Sequence, residues 1–190
     1  MGKPTPYHAS VVVPLPDEDE IARSFGDGYD PATALNVVKM MSGTGDLFPA
    51  LIGMVEAVFG ERDIDAKHRE VIILRAASLL NCPYEWQANE RMAHNAGLTT
   101  PEIDTIAGDG PLDNLDGDYQ LLIAATDELL RSGTLSDGSL QSLLDAFGTT
   151  TTRKYIVTIG WFSLLSLFLN GTRVPMETND KIGQRTSPLE

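Results

Sequence analysis

Residues 64–98 read IDAKHREVIILRAASLLNCPYEWQANERMAHNAGL, and the fold turns on this stretch. Asp65 is a good N-cap for a strongly apolar helix running to about Leu80. A second helix holds Tyr84 to Asn95 and stops at Gly97, a natural residue for a left-handed C-terminal turn. Cys82, Glu85 and Asn89 recur at i, i+3 and i+7, so they share one face of that second helix, with Cys82 at or near its start. Glu70 sits on the preceding helix. A tight antiparallel hairpin around Asn81 to Pro83 brings its carboxylate toward that face only if the connection folds over.

Outward from this pair the chain continues in helices. No segment alternates at period two, and the reading is all-α, a compact domain of seven to eight helices. Before the pair, one helix covers Ala32 to Met41, ending in the Ser42-Gly43-Thr44-Gly45 turn, and another covers Phe48 to Phe59 with Gly60 beyond its end. After it, Thr99 to Glu102 spells a capping box with Pro101 in the first turn. Gly108 to Gly117 is the clearest internal break, yet short enough to be a loop within one domain. Helices then cover Tyr119 to Leu130, Ser136 to Gly148, and about Thr152 to Asn170. The organisation expected is an N-terminal arm over 1–29, a helical domain over 30–176, and a tail over 177–190 that is exposed or disordered.

Composition narrows the partners. The 190 residues carry 14 Lys+Arg against 27 Asp+Glu, a net charge of -13. That balance argues against nucleic acid and against an electrostatic hold on anionic membranes. The most apolar run, Tyr155 to Leu169, is shorter than the ~20 residues of a bilayer span and reads as a buried core or interface helix. With no basic region leading into a long apolar run at the start, a cytoplasmic location is expected. The single cysteine, Cys82, excludes an intramolecular disulfide and a Cys-based zinc cluster. A small molecule or a second copy of the chain is the expected partner.

Cys82 is the first chemical candidate, because the positive end of a helix dipole can lower a thiol pKa. The plainer reading is a small buried hydrophobe. Glu85 and Glu70, each near a helix start, can serve as dipole partners or as acid/base groups. Tyr84 and Trp86 are packing residues or substrate platforms. His8, His68 and His94 lack metal-ligand spacing with a second ligand set, so no metal is expected. A P-loop is absent, as is a G-x-S-x-G elbow.

Lys67 to Arg75, followed by Cys82-Pro83-Tyr84-Glu85-Trp86 and Ala96-Gly97-Leu98-Thr99, resembles the carboxymuconolactone decarboxylase superfamily, which also holds the alkylhydroperoxidase D-like proteins. The resemblance extends more loosely over residues 30–176, through Leu121 to Leu130 and Tyr155 to Asn170. It implies an all-helical fold, assembly as a homo-oligomer (dimer, trimer or hexamer), and sites near subunit contacts. The peroxidase branch resembles E…C-x-x-C-x-x-x-H. Glu70 and Cys82 match it, whereas Glu85 replaces the second Cys and Asn89 replaces the His. The dithiol cycle therefore has no resolving thiol. The decarboxylase branch is similar at Glu85-Trp86 and again has a His at the place of Asn89. Such decarboxylation needs no cofactor when the substrate delocalises the carbanion, but it needs a proton donor. Asn89 cannot be that acid, so Glu85 or Glu70 takes the role, or His94 or Tyr84 reaches in.

Three readings follow. The first is a cofactor-independent lyase or isomerase acting on a small organic acid, lactone or aromatic-derived compound, with Glu70, Glu85, Cys82 and His94 as catalytic candidates and Tyr84, Trp86 and Asn89 binding substrate. The second is a non-catalytic ligand-binding or assembly protein, and the third a one-cysteine thiol peroxidase. A carboxylate ligand would need a local cation such as Arg69, Arg75 or Arg91.

Overall fold

The centre of the molecule is α4 (Ala66–Leu79), whose residues from Arg69 to Ser78 are all buried. The computed structural model describes residues 2–60 and 64–189. Asp65 caps α4 as expected, its Oδ1 accepting the Lys67 N–H at 2.7 Å. The helix ends where Asn81 takes a left-handed conformation (φ 47), and the Cys82 N–H closes back on Ala77 O at 2.8 Å. Asn tolerates that region because its short polar side chain offsets part of the steric cost. Pro83 then opens α5 (Pro83–Ala96), where its fixed φ suits a first turn and its missing N–H is not needed. The connection does fold over, and α4 and α5 form an antiparallel hairpin with the most extensive contact in the fold.

Local punctuation places the rest. Gly97 ends α5 at φ 99, and the capping box at Thr99 and Glu102 starts α6 (Thr100–Ala107). The next two helices, α7 (Gly117–Ser132) and α8 (Asp137–Thr172), pack on the faces of α4 that α5 leaves open. The break expected at Gly148 is present inside α8 as a residue at φ 71 and ψ 171. Arg75, almost wholly buried, ties the layers together. It makes a two-pronged pair with Asp127 of α7 and donates to the carbonyls of Ile106 and Gly108 at 3.0 and 2.6 Å.

By length and composition α8 is long and apolar enough to cross a membrane. Its inward residues, including Tyr155, Ile159, Phe162, Leu165 and Leu169, are buried in the core. Val157, Leu164 and Leu167 face outward.

Three boundaries differ from the sequence reading. The segment read as an arm contains α1 (Glu18–Phe25), capped by Asp17 and carrying Glu18, Asp19 and Glu20 in its first turn, where acids favour the helix dipole. The helix expected from Ala32 starts later, as α2 (Asn36–Ser42), because Asp30 folds residues 30–34 into a turn by accepting the Ala32 N–H. The helix α3 (Phe48–Gly60) matches expectation. Among the described residues the tail is neither exposed throughout nor disordered. Glu177 and Ile182 are buried, and a single-turn α9 (Asn179–Ile182) packs on α5. The physical reason is a set of polar anchors, described below. No strand occurs among the described residues, in line with the all-α reading.

Candidate active site

Glu70 from α4 and Glu85 from α5 meet inside the hairpin, both fully enclosed. Burial pushes the Glu85 carboxyl up to about 8, and the Glu70 carboxyl adds to the rise. Glu70 is likewise raised to about 8 by burial, with its neighbour Arg69 pulling the other way. The Arg69 Nε lies 3.4 Å from Glu70 Oε1, while Glu70 Oε2 has no partner among the described residues. Two carboxyls in a dry, shared environment cannot both ionise readily, so at neutral pH the pair holds protons that solvent-exposed acids would have lost.

Asn89, one turn along from Glu85, uses both amide hydrogens on it. Nδ2 donates to the Glu85 carbonyl at 2.9 Å and to Oε2 at 2.7 Å. Asn89 therefore orients the acid and has no hydrogen left for a substrate oxygen. Tyr84 is similarly engaged: its hydroxyl donates to Glu177 and accepts the Val37 N–H at 2.9 Å.

Tyr84, Glu85 and Asn89 border a cavity of about 20 Å³ whose other walls are apolar side chains of α2, α3, α5 and α8, with Pro188 closing one side. That is room for about one water molecule. Of the described side chains lining it, only Glu85 has a polar hydrogen to offer, and only while it is protonated.

Cys82 occupies a different compartment. It is buried at the start of α5 and does not line the cavity. Its thiol is pushed up to about 12, first by burial and then by Glu85. The lowering expected from the helix dipole is thus overridden, because desolvation of a thiolate outweighs a partial charge at a helix end. The Tyr7 and Ser166 hydroxyls face the sulfur, and Tyr7 donates to Asn170 Oδ1 at 2.6 Å.

Two expected site residues are not brought in. His94 is exposed near the far end of α5, nine residues beyond Glu85 and about 13 Å along the axis, with Nδ1 3.1 Å from Leu98 O. Trp86 is buried away from the cavity, with the Lys3 ammonium 5.8 Å from its ring centroid. Nor do the expected cations reach the cavity. Arg75 belongs to the Asp127 pair, and Arg91 donates to Gly183 O. Arg69 stacks on Phe59 at 4.4 Å and donates to Thr186 O. No group of three or more metal-ligating side chains occurs among the described residues.

Sequence reading missed Tyr7, Glu177 and Pro188. Each reaches the site from a chain end, across a separation that local patterning does not register; Glu177 accepts from the Asn36 N–H and the Tyr84 hydroxyl. A faint signal was Glu177 itself, an acid placed after the apolar Val174-Pro175-Met176 segment.

A helical hairpin with a buried acid on each arm, wrapped by further helices, defines the class: an all-helical protein built around a two-helix core. Residues 45–113 match the model of the carboxymuconolactone decarboxylase family. That match covers somewhat over a third of the chain and is a likeness to that family.

Solved structures share the fold. One is the alkylhydroperoxidase AhpD core of an uncharacterized peroxidase-related protein from Ralstonia eutropha JMP134. It has a TM-score of 0.73 and 14% identity, over 95% of this chain and 100% of that one. An uncharacterized peroxidase-related protein from Silicibacter sp. TM1040 gives 0.71 and 17%, over 97% and 100%. A protein of unknown function from Agrobacterium tumefaciens, described as a putative antioxidant defence protein AhpD, gives 0.64 and 18%, over 77% and 99%. At these identities the likeness concerns the fold. No curated protein sequence matches the chain.

Proposed function

We propose that the chain is a cofactor-independent proton-transfer enzyme, a decarboxylase-like lyase or an isomerase, acting on a small lactone or aromatic-derived carbonyl compound. The observation that carries this is Glu85: a buried acid held at about 8 in the wall of an apolar cavity, aimed by Asn89 and backed by Glu70. An acid raised to that level stays protonated at neutral pH and still ionises within reach, which suits both donation and removal of a proton.

In isomerisation, ionised Glu85 takes the proton next to the substrate carbonyl while the C–H electron pair moves onto the carbonyl oxygen. The pair then returns through the conjugated system, and Glu85 gives the same proton to a different carbon. In decarboxylation, the electrons of the breaking C–C bond pass into the conjugated carbonyl. Carbon dioxide leaves and neutral Glu85 protonates the carbon. Glu70 holds its neighbour's pKa up by proximity, and Asn89 is a positioning residue.

The thiol-peroxidase reading has less support: Cys82 is the only cysteine, and its pKa near 12 leaves almost no thiolate at neutral pH. Self-association, expected from the resemblance, is part of the same proposal, and the outward Val157, Leu164 and Leu167 supply apolar surface for it.

The test is turnover of a panel of lactones and enol lactones by the wild type, Glu85→Gln, Glu70→Gln and Cys82→Ser. Loss of at least about a hundredfold in Glu85→Gln, with Cys82→Ser near wild type, is expected for an acid/base group. Equal activity in Glu85→Gln and the wild type would remove the assignment.

A further inference from the structure

The cavity beside Glu85 holds about one water, far too little for a lactone, so a ligand can reach the acid only if a wall moves. One wall differs from the rest. Pro188 is contributed by the segment after α9, while the remaining lining side chains come from Leu35 and helices. On the other side of Pro188 and Val38 lies a second, more open pocket of about 80 Å³, bordered by Phe25, Tyr29 and Asp30. The proline ring is thus the partition between the surface pocket and the acid.

The segment carrying it is fastened in a way that permits release. Its polar contacts include donations from Arg69, Arg91 and Asn95 to its carbonyls, and from Arg185 to Thr33 O. Arg185 Nη1 is buried without a partner among the described residues, an unfavourable arrangement that lifting the segment would relieve. The firm anchors come earlier, at Glu177 and the buried Ile182. Between the two sets stands Gly183 (φ 56, ψ -124), a backbone state that only glycine adopts with ease, so the chain has a natural pivot there.

The charges along this path also discriminate. Among the described residues bordering the two pockets, the ionisable acids are Asp30 and Glu85, and no Lys, Arg or His is present. Arg69 is held behind the Phe59 ring, and Arg185 travels with the segment. Lys39, beside the Tyr29 ring, and Lys181, which donates to Ala34 O, flank only the outer pocket, so at the inner cavity a carboxylate would lose its hydration with no counter-charge among the lining side chains.

We infer that Gly183–Leu189 is a gate with Pro188 as its plug, and that the site behind it takes an uncharged, largely apolar ligand with one oxygen function rather than an organic anion. This rests on Glu85 being the working acid, and it selects the isomerase branch of that proposal, acting on neutral lactones and related carbonyl compounds, because a decarboxylation substrate carries a carboxylate.

The experiment is calorimetric binding of γ-octalactone and of octanoate at pH 7, which needs no turnover. The proteins are the full chain, Pro188→Ala, and a chain ending at Ile182; Pro188→Ala serves if the shortened chain folds poorly. Expected is lactone binding tightened about tenfold by Pro188→Ala, with octanoate binding weaker than lactone in every protein. Equal lactone affinity in the full chain and Pro188→Ala would overturn the gate. Octanoate binding as tightly as lactone would overturn the ligand class, and absence of binding by both probes in all three proteins would overturn the whole inference. Lactone binding with the gate effect intact, but no turnover anywhere, would instead sink the catalytic proposal and leave the gate standing.

Discussion

Glu85→Gln isolates what the buried acid does to the fold. The amide copies the shape of the neutral carboxyl, keeps an oxygen facing Asn89 Nδ2, and has no charge to desolvate. In the native protein Glu85 rises from 4.5 to about 8, first through burial and then through Glu70. Between those values the folded chain keeps a proton that the unfolded chain releases. The stability this confers is complete below pH 4.5 and is lost as pH rises through about 8. At 1.36 kcal/mol for each tenfold change in proton affinity, the interval corresponds to about 5 kcal/mol. Part of it is repulsion by Glu70, the remainder burial. The two proteins should therefore diverge by roughly 3 to 5 kcal/mol across the window. Urea unfolding at a series of pH values between 5 and 8.5 reads this directly. Wild type should lose stability steadily, and Glu85→Gln should lose about half as much, since Glu70 keeps its own drift through burial, and be the more stable protein at the upper end. Parallel curves would refute the reasoning, because they would mean that Glu85 ionises in the folded and unfolded chains alike.

Two further outcomes test the frame. Asp127→Asn leaves Arg75, whose side chain is only 4% exposed, with only the more distant Asp109 as a charged partner, and should cost about 3 kcal/mol, or about 10 °C in Tm; a shift below about 2 °C would show that Asp109 and the Ile106 and Gly108 carbonyls suffice. Gly148→Ala adds a methyl group that meets nothing within 4 Å, yet at φ 71 it should cost about 1–3 kcal/mol through backbone strain alone, and an unchanged chemical-denaturation midpoint would contradict that conformation.

How much of this was legible in the sequence follows from range. Asp65, Gly97, Gly148 and the Thr99–Glu102 box announce helix ends because caps act within one turn, and the structure uses all four. Cys82, Glu85 and Asn89 were placed on one helix face by periodicity, but the cavity admits the last two and leaves the thiol elsewhere. Helical spacing fixes direction about an axis and says nothing of which neighbours fill each sector. The thiol's acidity was read from a local dipole, whereas burial by residues distant in sequence decides it. Asp17 and the acidic turn after it did mark α1; the surrounding prolines obscured a signal that was present. Tyr7, Glu177 and Pro188 had no local signature, since their roles exist only once the hairpin offers Asn170, Tyr84 and the cavity as partners.

The division of labour between α4 and the cavity walls has an evolutionary corollary. Glu70 lies on a helix with no free face, so altering its surroundings means altering the foundation on which α5, α7 and α8 rest. The wall facing Glu85 includes Leu35 and α2 and α3 side chains such as Val38, Met41, Val55 and Phe59, from elements that make little contact with the central helix. Residues there can be exchanged for larger or smaller ones with modest risk to folding. The acid and its acidity are thus a fixed inheritance, while the shape of what it acts upon is open to drift and to deliberate redesign.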